Sequence, residues 1–124
     1  MGILKTYIEM CKESKEIQKL WKKEDNYVWR PDVDRVILLS SSNIFWWEEI
    51  MKNYIWLPTQ NQLQNMIIDE YNHNNIWMLI NFTEYVDQKL YETSYSMEQL
   101  WLSFVVWELY FKKWDGKEWV KYLQ

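Results

Sequence analysis

The stretch from Ser96 to Trp114 constrains the fold more than any other part of this chain. Leu100, Phe104, Trp107, Phe111 and Trp114 recur at three- and four-residue steps, which is the helix period. A second row, Met97, Trp101, Val105 and Leu109, runs beside the first. Together they make an apolar face wider than the roughly 100° stripe of a surface helix. The spacing therefore predicts a central helix that other elements must enclose. Ser96 with Gln99 supplies a capping box at its start. Lys112 and Lys113 suit the negative end of the helix dipole, and Asp115-Gly116 supplies the stop.

The rest of the chain is read around that helix. A first helix is expected from about Leu4 to Lys23, opened by Thr6 with Glu9 and docked through Tyr7, Met10, Ile17 and Trp21. Tyr27 to Trp29 and Val33 to Leu39 read as two strands around Arg30-Pro31-Asp32, a turn sequence. Val36 to Leu39 is continuously apolar, which suits a strand covered on both faces. Ser40 to Asn43 is a loop, followed by a short helix through Trp46, Trp47, Glu48, Glu49 and Met51. Tyr54 to Leu57 is extended, because Pro58 keeps Leu57 out of the helical region. Thr59 with Gln62 opens the next helix, and Asn72 to Asn75 ends it. Ile76 to Leu90 is a further helix, with Ile76, Leu79, Ile80, Tyr85 and Val86 as its apolar positions. Glu118 to Gln124 is a tail that packs back through Trp119, Val120 and Leu123. The order gives an α+β fold, mainly helical, with helices on one side of a small sheet of two to four strands. Residues 1–124 are expected to form one domain.

The chemistry-bearing residues are few. One His and one Cys cannot approach the roughly four ligands of a zinc site. His73 sits in an Asn-rich turn, and Cys11 lies in a helical pattern where a small core residue is the ordinary reading. The two glycines, Gly2 and Gly116, are too far apart for a phosphate loop. Glu48-Glu49 beside Trp46-Trp47 sets carboxylates near an aromatic wall, but adjacent helical residues diverge, so surface acids are the plainer reading. No cofactor, metal or catalytic residue is expected, and the chain is read as a non-enzyme. A net charge of −4 argues against broad phosphate-backbone binding, yet leaves basic proteins as partners. No apolar run approaches the ~18 residues of a membrane span, so the expectation is a cytoplasmic protein without a membrane partner.

The anomaly is aromatic. Ten Trp in 124 residues, with no Ala, exceed what one small core can enclose completely. Some rings are then expected at the surface or in a groove. Core filling competes there with a protein-binding hot spot and with an aromatic-walled ligand pocket.

Three segments carry a resemblance: Tyr7 to Lys12 continuing through Glu16 to Trp21; Trp56 to Gln64; and Ser96 to Leu102, closing on Trp114 and Gly116 to Trp119. Together they are similar to a family of small uncharacterised proteins encoded by phages and prophages of AT-rich Gram-positive bacteria. The abundance of Asn, Ile, Lys and Tyr, with twelve Lys against two Arg, fits AT-rich codons. The resemblance does not extend over Asp25 to Tyr54. It implies phage origin and brings no catalytic residues. Small acidic phage proteins of this kind often block host defence, as anti-CRISPR proteins do. The expected function is thus a binder in the host cytoplasm that occupies a host protein, such as a nucleic-acid-binding defence component, with self-association left open. Trp46, Trp47, Glu48 and Glu49 are the expected contacts. The alternative is a sponge that sequesters a small nucleotide signal in an aromatic pocket.

Overall fold

The structure is a computed structural model that describes residues 2–22, 26–39, 47–71, 74–88 and 95–122. Its elements are α1 (Gly2–Glu13), α2 (Lys15–Gln18), β1 (Asn26–Arg30), β2 (Arg35–Leu39), α3 (Trp47–Asn53), β3 (Ile55–Leu57), α4 (Gln60–Tyr71), α5 (Asn75–Asp87), α6 (Met97–Tyr110), β4 (Lys112–Trp114) and β5 (Trp119–Lys121). The fold is α+β, with an antiparallel sheet in the order β2-β1-β3 and a separate hairpin of β4 and β5.

Helix α6 is the centre. Trp101 to Val106 are buried at every position, so the middle of the helix is enclosed on all sides. Phe82 of α5 stacks on Trp101 with centroids 3.7 Å apart and planes at 4°. The capping box forms as expected: Ser96 N–H donates to Gln99 Oε1, and Gln99 N–H donates to Ser96 Oγ. Thr59 and Gln62 form the same reciprocal pair ahead of α4.

The helix ends earlier than its periodicity suggests. Phe111 adopts the left-handed conformation (φ 58°) and its N–H donates to Trp107 C=O, closing α6 at Tyr110. Lys112 to Trp114 then pair with Trp119 to Lys121 instead of extending the helix. Asp115-Gly116 is the turn of this hairpin. Asp115 Oδ1 accepts from the N–H groups of Lys117 and Glu118, which hold its carboxyl below the usual range, and Gly116 takes φ +106°. Tyr122 then stacks on Trp107.

The first helix is broken at Ser14. Ser14 N–H donates to Cys11 C=O, one residue short of helical spacing. Met10 C=O, freed by that shift, accepts from the Trp119 indole at 2.9 Å. Gln18 Nε2 donates to Cys11 C=O. Two distant side chains thus satisfy the end of α1 and fix the break. Because α1 already begins at Gly2, Thr6 lies inside it and is not its cap.

Two expectations about faces are corrected. On α5 the buried residues are Met78, Phe82 and Tyr85, whereas Ile76, Leu79 and Ile80 are exposed. Both stripes are apolar, and the rings of α6 select the one with Phe82 and Tyr85. Strand β2 is not covered on both faces. It is an edge strand in which Val36 and Leu38 are exposed and Leu39 is buried.

Candidate functional site

The expected contacts fall at the start of α3. Trp46 lies outside the described residues, as does the side chain of Trp47, whose backbone opens the helix. Glu48 and Glu49 are exposed in the first turn, where carboxylates suit the helix dipole. Ile50 is buried and pins the helix, while Asn53 Nδ2 donates to Glu49 C=O and, at 3.4 Å, to Glu49 Oε2. Among the described residues, neither acid makes an ion pair. They form a solvated acidic turn and do not converge on a third titratable group.

Other chemistry is muted. Cys11 is fully buried; burial pushes its thiol far above the ordinary value, against a smaller opposing effect of the hydrogen bond with Tyr7. It is a protonated core residue. His73 lies outside the described residues. Among the described residues, no group of His, Cys, Asp and Glu could hold a metal ion, and no helix is long and apolar enough to cross a membrane.

The tryptophans mostly serve the core. Trp21, Trp56, Trp101 and Trp119 are buried, and Trp29, Trp77, Trp107 and Trp114 are half-buried. Trp21 stacks on Trp56 with planes 11° apart. No described indole is exposed; the exposed large apolar residues among those described are mainly aliphatic, with Tyr27 and Phe111.

Among the described residues, an apolar recess lies between the N-terminal half of α1 and the sheet face that carries Tyr27, Trp29, Val36 and Leu57. One part, about 500 Å³, is walled by Leu4, Tyr7, Tyr27, Val36, Leu57 and Pro58, with Ser96 and Glu98 at its polar side. A second part, about 700 Å³, continues past Leu4 and Val36 to Ile8, Trp29 and Pro31, with Lys5, Glu9 and Asp34 around it. Both walls are fixed. Tyr7 Oη donates to Pro58 C=O at 2.5 Å, and Trp29 Nε1 donates to Asp34 Oδ1 at 2.9 Å. Asp34 reaches that position from a left-handed φ of 51° in the β1–β2 turn. Leu4, Tyr27, Val36 and Leu38 are exposed on these elements, as is Val33 in the β1–β2 turn.

The lining is mainly apolar, and its titratable side chains stand at the margins of the two parts. Glu98 is the acid of the first part, and no described Lys or Arg faces it there. An anionic nucleotide finds two tyrosines in that part but no cation. Sequence reasoning missed the cleft because β2 reads as a doubly covered strand. The available signal was local: Tyr27 and Trp29, amphipathic rings, share the face of β1 opposite Val28. No family model, curated protein or solved structure matches the chain.

Proposed function

We propose that this chain is a non-enzymatic, phage-encoded binding protein that inhibits host defence, in the manner of anti-CRISPR proteins, by occupying a surface of a host protein. The observation that carries the reading is the apolar cleft between α1 and the sheet, with the exposed Leu4, Tyr27 and Val36 in its lining. Contiguous exposed apolar surface on a small protein marks a place that another molecule covers. The cleft takes an apolar anchor of the partner. Glu48 and Glu49 on α3, with the net charge of −4, add attraction for a basic, nucleic-acid-binding component in the host cytoplasm.

Expression of the chain in a host whose defence restricts a phage is expected to raise that phage's plating efficiency. The variant Leu4→Asp/Tyr27→Asp, checked for native circular dichroism, is expected to lose that effect. Glu48→Lys/Glu49→Lys is expected to reduce it. A wild-type chain without effect on plating in any restricting host would sink the anti-defence reading. Full activity in both double variants would remove these surfaces from the account.

A further inference from the structure

Among the described residues no strand pairs with the outer edge of β2, and that edge has a defined hydrogen-bonding pattern. Trp56 of β3 donates its N–H to Gln18 Oε1 (2.9 Å) and its C=O accepts from Gln18 Nε2 (2.8 Å), so both groups point away from β1. Trp56 faces Val28 across the ladder, and that pair therefore exchanges no ladder bonds. Val28 must turn its own N–H and C=O to the other side, toward Ile37 of β2. By alternation, Val36 and Leu38 turn theirs outward at the open edge. Two donors and two acceptors stand there, flanked by exposed apolar side chains. Natural edge strands are normally guarded by Lys, Pro, a bulge or an inward charge. Val36 to Leu39 has none of these.

The geometry points to a second copy of this chain as the occupant of that edge. Antiparallel pairing about a two-fold axis at Ile37 matches all five residues of β2 with five of the copy. Val36 then faces Leu38 of the copy, and both have outward N–H and C=O groups, so four backbone hydrogen bonds form. The facing side chains of Val36 and Leu38 are apolar on apolar, while Arg35 faces Leu39 of the copy at each end. Ile37 meets its own equivalent as a pair without ladder bonds. The result is a six-stranded sheet in the order β3-β1-β2-β2-β1-β3, with both apolar clefts opening on one face. One short strand edge buries less than the roughly 1,200 Å² of a stable interface, so the association is weak and concentration-dependent. It is independent of the anti-defence reading and is read out without any host component.

Sedimentation velocity from low micromolar to near-millimolar concentration is expected to show the mass rising from 15.6 kDa toward twice that value. Leu38→Pro is expected to stay monomeric at every concentration while keeping its fold, since the Leu38 N–H takes no part in the β1 ladder. Val36→Lys, which guards the edge by charge, covers the case in which the proline variant fails to fold. Ile37→Cys is expected to give a disulfide-linked dimer under mild oxidation, because antiparallel pairs without ladder bonds bring Cα atoms to about 4.5 Å, within disulfide reach. The buried Cys11 leaves that readout clean. A wild-type chain that stays monomeric throughout, a dimer that survives both edge variants, or an Ile37→Cys chain that does not cross-link would each overturn the inference.

Discussion

Gln18 ties three segments together through one amide, and its removal is the most informative single perturbation. Nε2 donates to Trp56 C=O at 2.8 Å and to Cys11 C=O at 3.2 Å, while Oε1 accepts Trp56 N–H at 2.9 Å. The side chain thus imitates a neighbouring strand along the outer edge of β3 and also closes the end of α1. Gln18→Ala strands the backbone N–H and C=O of Trp56, a residue only 2% exposed. An unsatisfied buried group costs about 1–3 kcal/mol, so two of them, eased by water entering the gap, cost about 2–4 kcal/mol. With a urea slope of about 1–3 kcal/mol/M, the midpoint read by tryptophan fluorescence drops by about 1–2 M with the slope unchanged. Gln18→Glu separates donor from acceptor. Its carboxylate still accepts Trp56 N–H but faces two carbonyl oxygens with no proton to give. The native environment therefore raises its pKa. The acid form is favoured by the fold, so relative stability is fully present below the unfolded value of about 4.3 and is lost as pH rises through the higher native value. The gap between wild type and Gln18→Glu is then wide at pH 7 and narrow at pH 4. A midpoint shift below about 0.3 M for Gln18→Ala, against the slope above, would refute the account of β3's edge.

Three further outcomes follow from the packing. Phe82→Ala removes the ring stacked on Trp101 and is expected to cost about 3–5 kcal/mol, whereas Ile80→Asn, on the exposed stripe, stays within about 0.5 kcal/mol in the same thermal melts. Burial pushes the Glu16 carboxyl up, but the Lys112 ammonium that donates to it prevails and holds its pKa below the usual range. Glu16→Gln therefore costs about 1 kcal/mol at pH 7, and melts at falling pH should show that difference vanish as wild-type Glu16 protonates below its depressed native value. Gly116→Ala meets no atom within 4 Å, so its cost of about 1–2 kcal/mol is backbone strain at φ +106°, checked by comparing its urea midpoint with wild type.

What the sequence disclosed is local chemistry. The boxes of Ser96 with Gln99 and Thr59 with Gln62 are satisfied within four residues, so no distant partner is needed to read them. The enclosed α6 and the hairpin around Pro31 follow from period and turn type in the same way. What stayed hidden depends on partners far along the chain. The break at Ser14 is held by Trp119 and Gln18, and the early end of α6 by pairing of Lys112–Trp114 with Trp119–Lys121. On α5, two apolar stripes have nearly equal claim to the core by period alone. The side with Phe82 and Tyr85 wins because flat rings stack on Trp101 and meet Phe104 and Trp107, which Ile76 and Ile80 cannot do.

That selection also explains where the described rings of the aromatic surplus go. In a chain without Ala, core volume must be filled by large groups, and stacked rings fill it densely. Rings displace aliphatic side chains outward, leaving Val36 and Leu38 on the sheet and Ile76, Leu79 and Ile80 on α5 as exposed apolar surface. The proposed contact surface is therefore sought among the described apolar residues that the rings leave unenclosed. By that criterion the α1 cleft and the β2 edge outrank the described acids of α3: Val36 borders both features, whereas Glu48 and Glu49 border neither. Val36→Lys is therefore expected to weaken self-association and capture of the partner together, while Leu4→Asp impairs capture alone. Equal behaviour of the two variants would mean that the cleft and the edge are one surface with one occupant.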